Sequence, residues 1–263
     1  MRLFSRQRQG RADFDPVEVS EKGGIRFLHL GGTAVQSAMR LRDPFALELE
    51  YTRAMMAFLL FHPEPREAAL IGLGGGSLAK FIHRRLPECR LSAVELNPEV
   101  IAAARAYFFL PPDDARLSVI EGDGAAFVAG QPESRDVLLV DAYDAKRIVE
   151  ALASEAFYQA CHAHLRPGGV AAFNLWGSED RFGLYFHRIN LAFGGHCLIL
   201  PAEKRSNVIV FGFKPPLPET AFAPLAERAR ALEERLGLEF TGFLDRMRAF
   251  NAVTDRGFVL GDG

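Results

Sequence analysis

Four short apolar runs in this chain stop at residues that could do chemistry on a nucleoside. The first, residues 68–72, opens into Ile71-Gly72-Leu73-Gly74-Gly75-Gly76-Ser77. A G-x-G-x-G turn between a strand and a helix lets the backbone approach a ligand closely and permits positive φ. The second run ends in Val94-Glu95-Leu96-Asn97-Pro98. Glu95 falls about 20 residues after the last glycine, the separation at which a carboxylate accepts hydrogen bonds from ribose hydroxyls in dinucleotide folds. The third ends in Glu121-Gly122-Asp123-Gly124, where an aspartate between glycines can accept from an adenine amino group. Gly72, Gly74, Gly76, Glu95, Asp123 and Gly124 therefore read as one adenosine site. The turn lacks the lysine of a phosphate-binding loop, which argues against a nucleoside triphosphate and for adenosine linked to sulfur. The fourth run ends in Val140-Asp141-Ala142-Tyr143-Asp144. Taken alone, Asp141 and Asp144 fit a polar strand-end loop as well as a site.

The elements that must position these groups follow from periodicity. From residue 67 onward, apolar runs of strand length alternate with helical stretches. Strands are expected at 68–72, 91–96, 117–121, 136–140 and 170–175. Helices are expected at 78–86, at 98–108 with Pro98 in the first turn, at 154–165 with Ser154 as cap and Pro167-Gly168-Gly169 as stop, and at 180–193. Residues 197–200 and 207–213 can close as a hairpin. This pattern implies a Rossmann-like, methyltransferase-type α/β fold, a doubly wound parallel sheet with ligands at the carboxyl ends of its strands. Ahead of it, residues 25–30 and 33–37 flank Gly31-Gly32 as a small β-hairpin unit, followed by a helix over 47–61. Residues 218–250 read as a charged amphipathic helical tail, packed on the sheet or on a second subunit. The expected division is 1–62, 63–215 and 216–263.

Composition narrows the partners. A net charge of -2 leaves no cation excess for nucleic acid. The basic start, Arg2, Arg6, Arg8 and Arg11, reads as a solvated terminus. The beginning of the chain lacks the apolar core of a signal peptide, and the longest apolar run, residues 54–61, is too short to span a bilayer. Cys89, Cys161 and Cys197 form no CxxC pair and read as reduced thiols of a cytoplasmic protein. His162 and His164, two apart on a helix, point to different faces. They read as surface residues, so no metal is expected. Trp176 could border the ligand pocket or pack in the core or rim.

The sequence resembles the spermidine synthase (polyamine aminopropyltransferase) family over roughly residues 25–213. Leu30-Gly31-Gly32-Thr33-Ala34-Val35-Gln36 is similar to its L-D-G-x-x-Q segment, and Asp141-Ala142-Tyr143-Asp144 to its D-x-x-D pair. Glu155-Ala156-Phe157-Tyr158 and Leu165-Arg166-Pro167-Gly168-Gly169 are similar to its E-F-Y and L-x-P-G-G stretches. The resemblance implies transfer of an aminopropyl group from decarboxylated S-adenosylmethionine to a small-molecule amine, in a homodimer. It makes Asp141 the carboxylate that positions the amine and takes its proton. Asp144 would hold the acceptor, with Gln36 and Tyr51 lining its pocket.

Departures from the family pattern open two alternatives. Gly75 stands where the family has an aspartate for the cofactor's ammonium. Tyr51-Thr52-Arg53 replaces a Tyr-His-Glu, and Ala145-Lys146-Arg147 replaces prolines, which leads one to expect fewer carboxylates and more positive charge around the acceptor. A methyltransferase using intact S-adenosylmethionine, or a non-catalytic nucleoside-binding homologue, would also carry these features.

Overall fold

A computed structural model describes residues 14–32, 34–141, 150–178, 180–202 and 207–261. The basic start, Thr33, Asp144 and the Ala145-Lys146-Arg147 segment lie outside the described residues. Two sheets organise the rest. The first is three-stranded and antiparallel: β1 (Val17–Lys22), β2 (Ile25–Leu30) and β3 (Val35–Arg40), in that order. The hairpin expected from Gly31-Gly32 is present as β2 and β3. Sequence reading missed β1, whose outward face is charged and exposed and so shows little apolar signal.

The second sheet has seven strands in the order β6-β5-β4-β7-β8-β10-β9. They are β4 (Glu67–Ile71), β5 (Arg90–Glu95), β6 (Leu117–Glu121), β7 (Arg135–Val140), β8 (Leu165–Trp176), β9 (Cys197–Pro201) and β10 (Asn207–Phe213). The strands from β6 to β8 run parallel, while β10 is antiparallel to both β8 and β9. The order reverses at β4 and β7, and crevices at such a switch point receive ligands. Strand β4 is buried almost throughout and β7 over its last four residues, as parallel strands covered on both faces must be.

Helices α2 (Ser77–Arg85), α3 (Pro98–Tyr107), α4 (Gly124–Ala129), α5 (Glu155–His164) and α6 (Phe182–Ala192) cover the sheet. Ser154 caps α5 through a hydrogen bond to the Phe157 N–H. The expected stop at Pro167-Gly168-Gly169 is corrected. The helix ends at His164, and Leu165 already pairs with Arg135 in the sheet. Residues 166–169 sit in the irregularity where the β7–β8 register shifts. Helix α4 is a single short turn-and-a-half that periodicity did not reveal.

The helix expected over 47–61 is α1 (Glu50–Met55) continued by a 3-10 segment (Met56–Leu60). The amphipathic tail is two helices, α7 (Phe222–Leu236) and α8 (Phe240–Phe250). Their apolar faces, with Leu225, Leu232, Phe240 and Phe243, join one core with Phe58 of the 3-10 segment and with Phe211 and Phe213 on the sheet. Of the two placements expected for the tail, the structure shows the sheet.

Candidate active site

The glycine turn takes the conformation its composition requires. Gly72, Gly74 and Gly76 have φ of 90°, 52° and 72°, values a side chain disfavours. Gly76 is the left-handed N-cap of α2. Glu95, at the end of β5, grips this turn: its Oε2 accepts the Leu73 N–H at 2.9 Å and its Oε1 the Asn97 N–H at 2.9 Å. Each oxygen keeps a second lone pair for a ligand hydroxyl. Asp123 caps α4, with Oδ1 accepting the Ala125 N–H at 2.8 Å. Both carboxylates thus have structural tasks that the sequence did not announce.

These groups line a cavity of about 180 Å³, together with Leu30, Val94, Leu96, Val100 and Leu152. Glu95, Asp123 and Asp141 supply three carboxylates. No lysine, arginine or histidine lines it among the described residues. The apolar lining at Val94, Leu96 and Leu152 suits a flat heterocycle.

A second cavity, of about 620 Å³, opens beyond it. Gln36, Tyr51 and Asp141 line both. The farther cavity adds Glu48, Glu50, Arg53, Asn174, Trp176 and Asn207. Asp141 therefore stands where the two spaces meet. Its backbone N–H is bound to Ile71 O at 2.9 Å, which continues the β4–β7 ladder. The Tyr51 hydroxyl reaches Asp141 Oδ2 at 3.1 Å, and Asn174 Nδ2 donates to Oδ1 at 2.8 Å. Asn174 Oδ1 in turn accepts from Asn207 Nδ2 at 2.9 Å.

Asp141 is half-buried as a residue, but protein surrounds its carboxyl group. That burial pushes its pKa up to about 6, with the nearby charge of Glu95 acting in the same direction and the bonds from Asn174 and Tyr51 opposing it. Burial, reinforced by the Asp141 charge and hydrogen bond, lifts the Tyr51 phenol well above its ordinary range. Tyr51 is thus a neutral donor, and Asp141 is a carboxylate tuned close to neutrality. A base of that strength beside a cavity can take a proton from a bound acid.

These pockets lie in a chain whose relatives are well defined. The family model described as the spermine/spermidine synthase domain matches residues 48–174. A polyamine aminopropyltransferase of Chromobacterium violaceum is 43% identical over 238 residues, covering 90% of this chain and 91% of that protein. This chain belongs to the polyamine aminopropyltransferase family. It is a transferase, and its reaction is aminopropyl transfer.

Two solved structures share the aminopropyltransferase's fold. Human methyltransferase-like protein 13, solved in complex with SAH, is 28% identical with a TM-score of 0.62, covering 72% of this chain and 93% of that one. A spermidine synthase in complex with the transition state analogue AdoDATO aligns with a TM-score of 0.67 at 22% identity, covering 89% of this chain and 83% of that one.

Of the predicted site residues, Gly72, Gly74, Glu95, Asp123, Gly124 and Asp141 share the nearer cavity, and Gln36 and Tyr51 join them at its junction with the farther one. Gly76 shapes the turn without lining either cavity, and Asp144 lies outside the described residues. Two readings change. Among the described residues, the farther cavity carries Glu48, Glu50 and Asp141 beside one arginine, while the Lys146-Arg147 part of that expectation lies outside them. That arginine, Arg53, is held by Glu239 at 2.8 Å, from the start of α8, and by the carbonyls of Leu47 and Glu48. His164 is not on the surface. It is fully buried, with Nδ1 against Gln131 O at 2.6 Å.

For Gly75, packing adds to the sequence reading. A Cβ there would meet Ser37 Oγ at 2.7 Å and the Phe108 ring at 2.8 Å. Phe108 is fixed in turn by Lys80, a buried lysine whose Nζ donates to Phe108 O at 2.6 Å. The space for an acidic side chain at this position is closed by packing. Sequence reading missed Asn174, Asn207 and Glu239, since single polar residues at strand and helix ends carry no spacing signal.

Among the described residues, no group of three or more His, Cys, Asp or Glu could hold a metal, and no helix is long and apolar enough to cross a membrane.

Proposed function

We propose that this enzyme uses decarboxylated S-adenosylmethionine and that Asp141 is the base that receives the acceptor amine's proton. The observation that carries this reading is the position of Asp141 at the junction of the two cavities. Adenosine occupies the nearer cavity, with Glu95 accepting the ribose hydroxyls and Asp123 the adenine amino group. The three carboxylates there repel the carboxylate of intact methionine and attract a cofactor that ends in an ammonium alone. The acceptor amine enters from the farther cavity, where Glu48 and Glu50 favour a cation. Gln36 and Tyr51 border its path, and the resemblance to the family gives Asp144 the task of holding the acceptor.

An aliphatic amine has a pKa of about 10 and is mostly ammonium at neutral pH, so it cannot attack. Asp141, ionised above about pH 6, takes a proton from the ammonium. The freed nitrogen lone pair then attacks the methylene carbon next to sulfur. A carbon–nitrogen bond forms, the carbon–sulfur bond breaks, and its electron pair returns to sulfur to give neutral methylthioadenosine. The sulfonium is its own activating group, so alignment of the two substrates supplies much of the acceleration.

The test is direct. Incubate the protein with decarboxylated or intact S-adenosylmethionine and a panel of di- and triamines, and measure methylthioadenosine. Release with the decarboxylated cofactor and an amine is the expected result. Calorimetric preference for the intact cofactor would overturn the cofactor assignment. The same reading takes the enzyme as a cytoplasmic homodimer without nucleic acid. Light scattering at a mass of two chains, unaltered by added RNA, checks the assembly.

A further inference from the structure

We propose that Asn174 and Asn207 form a neutral amide chain that orients Asp141 and sets its strength as a base. The proposal rests on the reading of Asp141 given above. The two asparagines come from neighbouring antiparallel strands. Asn207 pairs with Trp176 across the β8–β10 ladder, and Asn174 pairs with Ile209. Asn174 and Asn207 are therefore diagonal neighbours on one face, near the end of β8 and at the start of β10, where the acceptor cavity opens.

The direction of the chain is not arbitrary. Asn174 is buried, and an isolated amide there could present either its oxygen or its nitrogen to Asp141. Asp141, when ionised, only accepts, so Asn174 turns its Nδ2 toward Asp141 Oδ1, at 2.8 Å. Asn207 reinforces that direction, since its Nδ2 donates to Asn174 Oδ1 at 2.9 Å and an inverted Asn174 would require Asn207 to invert as well. A carboxylate that accepts an N–H bond is stabilised in its ionised form. An inverted amide would place a carbonyl oxygen against Asp141 and favour the protonated acid instead.

The neutrality of the chain matters as much as its direction. An arginine or lysine in place of Asn174 would hold the carboxylate as firmly and weaken it as a base. The groups facing Asp141 are consistent with this division of labour. From α1 comes the neutral Tyr51 hydroxyl, and from β5 the negative Glu95. Asp123 lies along the nearer cavity. Across the farther one stand Glu48, Glu50 and Arg53, the last neutralised by Glu239. Strands β8 and β10 contribute only Asn174, Trp176 and Asn207 to that cavity. Asp141 is thus aimed by donors that carry no charge, in surroundings that keep its proton affinity high.

Asn174 and Asn207 are positioning residues in this scheme, and the readout is the pH dependence of kcat with both substrates saturating. Asn207→Leu is neutral and close in size. It frees Asn174 to invert, so the acid limb should move up by roughly 0.5–1 pH unit, while methylthioadenosine binds within about twofold of the parent. Asn174→Leu removes the donor outright and should move the limb in the same direction. Asn207→Asp, which keeps the shape and reverses the polarity of the chain, should move it furthest. An acid limb unmoved in both Asn207→Leu and Asn207→Asp, with only the amine KM altered, would reduce the pair to pocket wall and overturn the inference. Full turnover in Asp141→Asn would instead sink the assignment of the base. The two failures are therefore distinguishable. Circular dichroism and the methylthioadenosine titration on each variant separate misfolding from a changed base.

Discussion

Glu95 Oε2 holds the backbone N–H of Leu73 at 2.9 Å, while the other oxygen holds that of Asn97. One side chain therefore ties the glycine turn on β4 to the cap of α3 before any ligand arrives. The proposed ribose contacts and the shape of the turn depend on the same carboxylate.

Replacing Glu95 should accordingly do more than remove ligand contacts. A hydrogen bond to a charged acceptor contributes about 1.5–3 kcal/mol, so Glu95→Ala is expected to weaken methylthioadenosine binding roughly ten- to a hundredfold. Calorimetry measures this. Amide exchange at Leu73 and Asn97 should also accelerate in the ligand-free protein. Unchanged affinity would remove Glu95 from the site, and unchanged exchange would remove its hold on the turn.

Asp141 should show two opposite effects when replaced. In the parent enzyme, kcat/KM is expected to fall tenfold per pH unit below about pH 6, as Asp141 of the free enzyme becomes protonated. Asp141→Asn should lower kcat by about 10²–10⁴-fold and erase that limb. Stability moves the other way. The folded pKa lies above the unfolded value, so the native state loses stability as pH rises from about 4 to about 6 and keeps that deficit above it. An asparagine has no such deficit. Its oxygen can accept from Asn174, and its NH₂ can donate to Tyr51, whose proton turns to Gln36 O at 3.4 Å. At pH 8, Asp141→Asn should be more stable by roughly 1–3 kcal/mol. Urea unfolding at pH 8 reads the gain. A less stable variant would show that the carboxylate is not strained by burial.

Gly75→Asp restores the family's acid on paper and should fail in practice. The new Cβ meets Ser37 and a Phe108 ring whose backbone carbonyl is held by Lys80. Forced overpacking of this kind costs about 1–3 kcal/mol. The variant is expected to melt several degrees lower and to gain no preference for the decarboxylated cofactor. A tighter, stable variant would mean that the turn rearranges to admit the side chain.

His164 provides a separate handle on acid stability. Burial depresses its pKa to about 4, although the carbonyl of Gln131 partly opposes this. The folded value lies below the unfolded one near 6.5. Its contribution to stability is therefore whole above about pH 6.5 and is lost as pH falls toward 4, by up to about 3 kcal/mol. His164→Gln, which keeps a donor for Gln131, should flatten that part of the stability curve. The Asp141 effect has the opposite slope over much of the same window, so the comparison is best made in the Asp141→Asn background.

Sequence alone determined the layered fold and one half of the site. Strand-length apolar runs, alternating with helical ones, leave few ways to bury their surfaces other than a parallel sheet. A glycine turn and the acids at the ends of the next strands then fall at the carboxyl end of the sheet, which is why Gly72, Glu95 and Asp123 could be named in advance, whereas Asp141 needed the family resemblance. The signals are local, because each residue is marked by its distance from a strand end. Tertiary structure decided the rest. Arg53 looked like an intruding cation until α8 brought Glu239 against it from the far end of the chain. Gly75 is a missing family acid in the sequence, and only the structure shows Ser37 from β3 and Phe108 from the end of α3 closing that space. The orientation of Asp141 rests on Asn174 and Asn207, which meet only because β10 runs antiparallel beside β8. Such relationships depend on where distant strands pack, and no spacing within a single segment encodes them.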